Sequence, residues 1–352
     1  MNNGSLLKKD NVDMFDVLSN FHNQIIEACK IGETLSEKVL PKSNEIIISG
    51  MGGSAIAGNL LKNYCENIDN TNKINITINR SYSYPNHITN DYLASFSSYS
   101  GNTEETLSAY KQINNICDKV VVFTTGGKLK ELAENNNQPT IILPSGLQPR
   151  AAIGYSFFTQ LYFMMYSGIM KSSLVASTAN SINKVLDLVK SKNEIFKKEN
   201  PSNPTFSFAK ELVGKIPNVI SSERYQSVNL RFRGQFQENS KVQAFGSILP
   251  EMNHNEINAL ENKEMSKIFH FILIKDDEEN DRNLLRFKFL EETLEKYGYS
   301  YSVIKPSSDN LLTNYFELIQ YADWTSFWLA LLNGKDPSEI KTIMNLKEFM
   351  SN

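Results

Sequence analysis

The segment SFSSYSGNTEET, residues 95–106, sets Ser98, Ser100 and Thr103 around a Gly101-Asn102 turn, with Glu104 and Glu105 directly after it. Small hydroxyl residues end a strand here, and a helix starts at or near Thr103. Free N–H groups at a helix start, joined by three hydroxyls, surround an anion with donors without using a cationic side chain. A phosphate monoester fits such a ring. The same residues also fit a Ser/Thr helix cap with acidic first-turn residues and no ligand. Capping accounts for Thr103 and Glu105 but not for the additional serines, so both readings stay open on this segment alone.

A second glycine turn, SGMGGSAIAG, offers Gly52, Gly53 and the Ser54 hydroxyl at another strand-to-helix junction. Glycine there lets backbone approach a ligand closely. The spacing is neither G-x-G-x-x-G nor a Walker loop, so neither nucleotide class is supported. A third turn, TTGG at 124–127, reads as structural.

These turns need a scaffold that brings strand ends together. Residues 14–40 repeat Phe15, Leu18, Phe21, Ile25, Ile26 and Cys29 at helical spacing, predicting one amphipathic helix against the first sheet. EIIISG (45–50) is a β-branched run suited to a strand buried on both faces. Strands at 74–80, 93–101, 119–127 and 139–146 then alternate with helical stretches, and an apolar helix covers about 151–170. A second alternation has strands at 217–222, 241–246, 267–275 and 301–306 and helices at 224–239 and 281–297. Two helices close the chain, 313–334 and 337–350, the second starting at Pro337. The alternation predicts an α/β protein with two domains, each a parallel sheet flanked by helices. We place the domains at 1–170 and 205–352, with a polar linker region at 171–204. Ligands in such sheets collect at the carboxyl ends of the strands, near the topological switch point.

Composition narrows the partners. The 352 residues are 41% hydrophobic, with a formal net charge of −3 and no basic stripe, which excludes a nucleic-acid or anionic-membrane surface. No signal-peptide core or membrane-length apolar run is present, which predicts a cytoplasmic protein. Three scattered cysteines (Cys29, Cys65, Cys117) argue against disulfides and zinc ribbons and read as buried thiols. The four histidines (His22, His87, His254, His270) lack metal-site spacing, so no metal and no cofactor is expected.

SGMGGSAIAG, SYSGNTEET, TTGG, PRAAIGYSF, FQENSK, LPEMNHNEI, DWTSFWLALLNGKDP and a terminal LK occur in this order over about residues 45–350. Together they resemble the bifunctional phosphoglucose/phosphomannose isomerases of the SIS (sugar isomerase) superfamily. The glycine turn and SYSGNT are shared across that superfamily, whereas PRAA, QENSK and PEMNHN are particular to the bifunctional isomerases. The resemblance implies two SIS-type αβα domains and interconversion of glucose 6-phosphate and mannose 6-phosphate with fructose 6-phosphate, a step of glycolysis and gluconeogenesis, through a cis-enediol(ate). It assigns phosphate to Ser98, Ser100 and Thr103 and the first substrate loop to Gly52, Gly53 and Ser54. Arg150 matches the active-site arginine, Glu238 the base between C1 and C2, His254 the ring-opening histidine, and Lys347 a lysine near the ring oxygen. It further implies a homodimer in which His254 reaches the partner's active site.

The chemistry is consistent with these roles. A carboxylate raised in pKa by partial burial suits removal of a proton beside a carbonyl. An arginine can stabilise the developing enediolate, and an imidazole titrating near neutrality can exchange protons with the ring oxygen. Each residue also has a plain alternative: Glu238 a solvated helix-end glutamate, Arg150 a surface or capping residue, Lys347 a solvated lysine. His270, inside the apolar run KIFHFILIK, reads as a packed strand residue, and His22 and His87 as surface or packing residues. Rival functions are another SIS aminosugar-phosphate isomerase or deaminase, and a phosphosugar sensor without catalysis. A glutaminase-linked synthase is disfavoured because no cysteine-led N-terminal domain is expected, and a sensor needs the serine loop but not Glu238, Arg150 and His254 together.

Overall fold

The computed structural model describes residues 6–11, 13–68 and 73–351. In chain order the first elements are α1 (Met14–Ser19), α2 (Phe21–Glu33), β1 (Glu45–Ser49), α3 (Gly52–Ile68), β2 (Asn75–Asn79) and β3 (Leu93–Ser97). They continue with α4 (Glu104–Ile113), β4 (Lys119–Thr124), α5 (Gly127–Asn135), β5 (Thr140–Ile142), α6 (Ile153–Tyr166) and α7 (Ser172–Phe196). Next come α8 (Pro204–Glu211), β6 (Ile216–Ser222), α9 (Gln226–Glu238), β7 (Phe245–Leu249) and β8 (Phe269–Ile274). The chain closes with α10 (Asp281–Tyr297), β9 (Ser300–Ile304), α11 (Leu311–Leu332) and α12 (Lys341–Ser351).

Two compact units emerge, Asn20–Asp187 and Met1–Ser19 with Leu188–Asn352. Residues 171–204, expected as a polar linker, hold α7, and the division falls within that helix.

The Asn20–Asp187 unit has an all-parallel sheet of order β2-β1-β3-β4-β5. Ile46, Ile47 and Ile48 of β1 are all buried because both faces are covered. Ile47, Ala94, Phe96, Val120 and Val122 pack with Tyr110 of α4 and Leu129 of α5 on one face. Ile46, Ile48 and Phe123 meet Leu61 of α3 and Phe163 of α6 on the other. The single helix expected over 14–40 is broken at Asn20. Phe15 of α1 stacks edge-on against Trp324, ring centroids 5.4 Å apart, and α1 belongs with the other unit. α2 instead packs on α6, so closely that a Cβ on Gly32 would stand 2.3 Å from the Tyr162 ring.

The second sheet, also parallel, runs β7-β6-β8-β9. Ile220, Phe271 and Leu273 face Phe287, Leu290 and Leu294 of α10. The opposite face of β8 meets α8, where Phe208 lies edge-on to His270. α11 is buried around its whole circumference, which a helix tolerates when its polar groups are paired. Glu317 pairs with Lys192 at 2.7 Å, Gln320 donates to the Val189 carbonyl at 3.0 Å, and the Trp324 indole donates to Asn193 at 3.2 Å.

Two expected elements sit elsewhere. The strand expected at 241–246 forms at Phe245–Leu249. Lys241 adopts φ +55 and the Val242 amide returns to the Phe236 carbonyl, so residues 241–244 are used in ending α9. The last helix begins at Lys341 rather than Pro337, because Asp336 accepts from the Ser338 amide at 2.8 Å and holds a turn there. The three cysteines are free and buried, and burial pushes Cys29 up to about 11 and Cys65 to about 12. Among the described residues, no helix is long and apolar enough to cross a membrane and no cluster of three metal-ligating side chains occurs.

His270 is the packed strand residue expected, 4% exposed, with its ring nitrogens 3.1 and 3.0 Å from the Ser300 and Ser302 hydroxyls. Burial, then the Lys215 ammonium, push its pKa down from 6.5 to about 4. The unfolded chain therefore takes up this proton first. His270 contributes fully above about pH 6.5, and its contribution is lost as pH falls towards 4, at up to about 1.4 kcal/mol per pH unit. Urea unfolding from pH 7 to 4 should show a shallower loss of stability in His270→Gln than in wild type. Parallel profiles would refute the assignment.

Candidate active site

In the first sheet the strand order reverses direction at β1, with β2 on one side and β3 on the other. The turns leaving β1 and β3 therefore open side by side at the carboxyl edge, as expected of a ligand crevice. Gly52, Gly53 and Ser54 open α3, and Ser98, Ser100 and Thr103 lie between β3 and α4. Thr103 occupies the N-cap position of α4, yet its side chain makes no capping hydrogen bond. Ser98 donates to the Thr103 hydroxyl at 2.9 Å instead, which directs both hydroxyls at one point beside the helix start. Simple capping is thus not what the hydroxyls do. The Ser97 and Thr106 hydroxyls beside them are buried without a protein partner.

The loop is clamped from three sides. The Tyr99 amide donates to the Ser54 hydroxyl at 3.2 Å, tying the serine loop to the first glycine turn. Thr125 donates to the Tyr99 carbonyl through its amide, 3.0 Å, and its hydroxyl, 2.7 Å. The Leu129 amide reaches the Gly101 carbonyl at 2.9 Å, and the Lys128 amide the Asn102 side chain at 3.1 Å. The TTGG turn is therefore the wall of the serine loop, a structural role as expected. Gly101 sits at φ +68, and a Cβ there would fall 1.7 Å from the Gly126 carbonyl oxygen, so only glycine fits between the two turns.

Arg150 belongs to the 3-10 turn Pro149–Ala151 and is 3% exposed, which excludes the surface-residue alternative. This turn abuts the first glycine turn: a Cβ on Gly53 would lie 2.4 Å from the Pro149 oxygen. The Tyr99 hydroxyl donates to the Pro144 carbonyl at 2.7 Å and accepts from the Leu147 amide at 3.2 Å, holding the approach to Arg150. Behind it, buried Gln24 of α2 donates to the Ala151 carbonyl at 2.9 Å and accepts from the Gly154 amide at 2.6 Å. Gln24 thus caps α6 from another helix. Neither Tyr99 nor Gln24 is a sequence-level candidate. Gln24 leaves one signal, a polar residue among Phe21, Ile25 and Ala28 on the apolar stripe.

In the other unit Glu238 is the last residue of α9 and is half-buried, away from the fully solvated alternative. α9 is fixed to α11 by a buried ion pair, Arg231 to both Asp323 oxygens at 3.0 and 3.1 Å. Just beyond Glu238, Asn239 donates to the Ser326 hydroxyl at 3.0 Å and Ser240 to the Ser326 carbonyl at 2.7 Å. His254 ends the 3-10 turn Glu251–His254 and is exposed. Its segment is held by Arg286 on Asn253 at 3.3 Å and by Ser247 on Glu256. Lys347 lies on α12, whose residues 341–350 are exposed. The structure thus gathers Gly52, Gly53, Ser54, Ser98, Ser100, Thr103 and Arg150 at one sheet edge, and sets Glu238, His254 and Lys347 on separate elements of the other unit.

The family model of the bacterial phospho-glucose isomerase C-terminal SIS domain matches residues 201–350. The bifunctional phosphoglucose/phosphomannose isomerase of Caldicellulosiruptor bescii is 35% identical over 339 residues, 95% of this chain and 98% of that protein. The enzyme of the same name from Aquifex aeolicus is 31% identical over 96% of this chain and 98% of its own. Among solved structures, a hypothetical protein from Thermus thermophilus superposes with a TM-score of 0.74 at 14% identity, covering 98% of this chain and 92% of that one. That likeness speaks for the fold alone.

Two of the positive-φ glycines, Gly52 and Gly101, separate backbone strain from steric fit. Gly52, φ +50, has nothing within 4 Å of an added Cβ. Gly52→Ala should cost about 1–2 kcal/mol, the left-handed backbone alone. Gly101→Ala should cost more than about 2 kcal/mol and abolish binding of inorganic phosphate, since the clash must open the loop. Equal costs in urea unfolding, or undiminished phosphate binding by Gly101→Ala, would contradict the clamp.

Proposed function

The chain belongs to the bifunctional phosphoglucose/phosphomannose isomerase family, and we propose that it isomerises hexose 6-phosphates by proton transfer between C1 and C2, with Glu238 as the base. It is an aldose-ketose isomerase, taking glucose 6-phosphate and mannose 6-phosphate to fructose 6-phosphate. What carries the site reading is the start of α4. Its N-cap hydroxyl does no capping and is instead joined to the Ser98 hydroxyl, an arrangement that a phosphate monoester completes.

The steps follow from the residue chemistry. Ser98, Ser100, Thr103 and the α4 amides hold the phosphate, and the turn Gly52-Gly53-Ser54 lines the sugar. His254 passes a proton between the ring oxygen and the O1 hydroxyl, opening the ring. Glu238 removes the proton from C2 of the aldose; the C–H electron pair forms the C1–C2 double bond of a cis-enediolate as the carbonyl π pair moves onto O1. The O2 hydroxyl proton passes to O1, and as C2=O forms the double-bond pair takes the proton back from Glu238 at C1. Arg150 offsets the negative charge on the enediolate oxygens, and its burial strengthens that effect. Lys347 is assigned to the ring-oxygen side. No step calls for a metal, and the enzyme is read as cytoplasmic. We further infer a homodimer in which His254 serves the partner's site, which its exposure permits.

Conversion of fructose 6-phosphate to both aldose phosphates should persist in EDTA. Glu238→Gln should lose about 10²–10⁴-fold in kcat while still binding substrate, and His254→Ala should lose less. Unchanged turnover by Glu238→Gln would sink the mechanism, and tight binding by wild type without turnover would favour the sensor.

Mixing the two variants tests the dimer. If His254 crosses, each mixed dimer regains one intact site, so random pairing restores activity in about a quarter of sites. If His254 acts within its own chain, mixing restores nothing.

A further inference from the structure

Lys241, three residues beyond Glu238, is a heavily bonded side chain. Its ammonium, with three N–H donors, lies within hydrogen-bond distance of four carbonyl oxygens: Glu238 at 3.0 Å, Asn239 at 3.1 Å, Asp336 at 2.6 Å and, shared and longest, Pro337 at 3.4 Å. Two of them end α9, where carbonyls lack helical partners and the dipole favours a cation. The other two begin the segment that leads to α12 and Lys347. The turn at 336–338 is fixed in its own right, since Asp336 accepts from Asn11 at 2.9 Å and from the Ser338 amide at 2.8 Å.

The backbone of Lys241 stands at φ +55, a left-handed conformation that costs a lysine energy and suits glycine or asparagine. Ending a helix in this way requires no ammonium. Strain kept at a non-glycine residue points to a job for its side chain. Glu238 is followed by three anchored residues: Asn239 and Ser240 on Ser326, and Lys241 on the 336–337 carbonyls. Its main chain is thereby denied the fraying usual at a helix end. A base that must meet a C–H proton within a few tenths of an ångström depends on such fixation.

We propose that Lys241 is a positioning residue: its ammonium locks the Glu238 helix end to the 336–337 segment, so that the base and the element bearing Lys347 keep a fixed register. The inference rests on Glu238 being the base. It concerns the reaction step and not substrate capture, because the phosphate loop lies on other elements.

The test compares wild type, Lys241→Met, Lys241→Arg and Lys241→Gly with fructose 6-phosphate as substrate, with Glu238→Gln alongside. Lys241→Met should lose about 10- to 100-fold in kcat with KM changed less than about threefold. Lys241→Arg, which keeps several donors, should recover most of the loss. Lys241→Gly relieves the backbone strain, so its unfolding midpoint should hold or rise while its kcat falls as in Lys241→Met. Wild-type kcat in Lys241→Gly or Lys241→Met overturns the proposal, as does a loss that disappears once corrected for the folded fraction. An inactive Glu238→Gln beside fully active Lys241 variants removes this inference alone. A fully active Glu238→Gln removes the assignment of the base and this inference with it.

Discussion

Parallel strand pairing is the constraint from which the candidate site follows. It sends the carboxyl ends of β1, β3 and β4 to one edge, so that three turns distant in sequence become neighbours. Proximity alone would leave them floppy. Hydrogen bonds between turns convert adjacency into a fixed arrangement: Tyr99 to Ser54, Thr125 to Tyr99, Leu129 to Gly101. The Ser54 hydroxyl serves the tie to Tyr99, while the Ser98 and Thr103 hydroxyls are joined to each other and not to the helix start.

The two sheets share an order, with the first strand flanked by the second and third, but their loops have opposite character. The position equivalent to the serine loop follows β8 and reads Asp276, Asp277, Glu278, Glu279. α10, which it leads into, is capped in the ordinary way: Asn280 accepts from the Arg282 amide at 2.8 Å. Asp276 is itself engaged by Tyr225 and Arg224. A capped helix start behind four acidic residues offers an anion nothing. The same architecture therefore leaves an uncapped, hydroxyl-lined helix start after β3 and a capped, acidic one after β8.

Much of the fold is legible in the sequence because β-branched runs and glycine turns are local signals. β1, β4 and α10 lie within a few residues of where periodicity puts them, and α10 coincides with the expected 281–297. The misplaced elements are those decided by distant contacts. KVQAFG has the composition of a strand, but Lys241 is committed to residues 336–337, almost a hundred positions away, and the strand starts four residues later. Pro337 is a good helix start that the Asp336 turn overrides. The serine loop is legible as a donor ring, yet only geometry separates a cap from an anion site, since both use the same residue types.

The buried seam between α9 and α11 gives physical content to two motifs that the sequence offers only as matches. In QENSK the proposal gives chemistry to the glutamate alone, and in DWTSFW to no residue. Asp323 holds Arg231 with 5% and 3% exposure, a pair whose single disruption would strand a buried charge at a cost of about 3–5 kcal/mol. A hydrophobic pair of similar volume could stabilise that contact as well, but it would not fix direction. Paired hydrogen bonds do. Ser326 receives Asn239 through its hydroxyl and Ser240 through its carbonyl, so α9 can neither rotate nor slide along α11 without breaking one of them. The polar spelling on both sides of the seam therefore fixes where the Glu238 end of α9 sits against α11, whereas packing alone would explain neither the serine nor the asparagine.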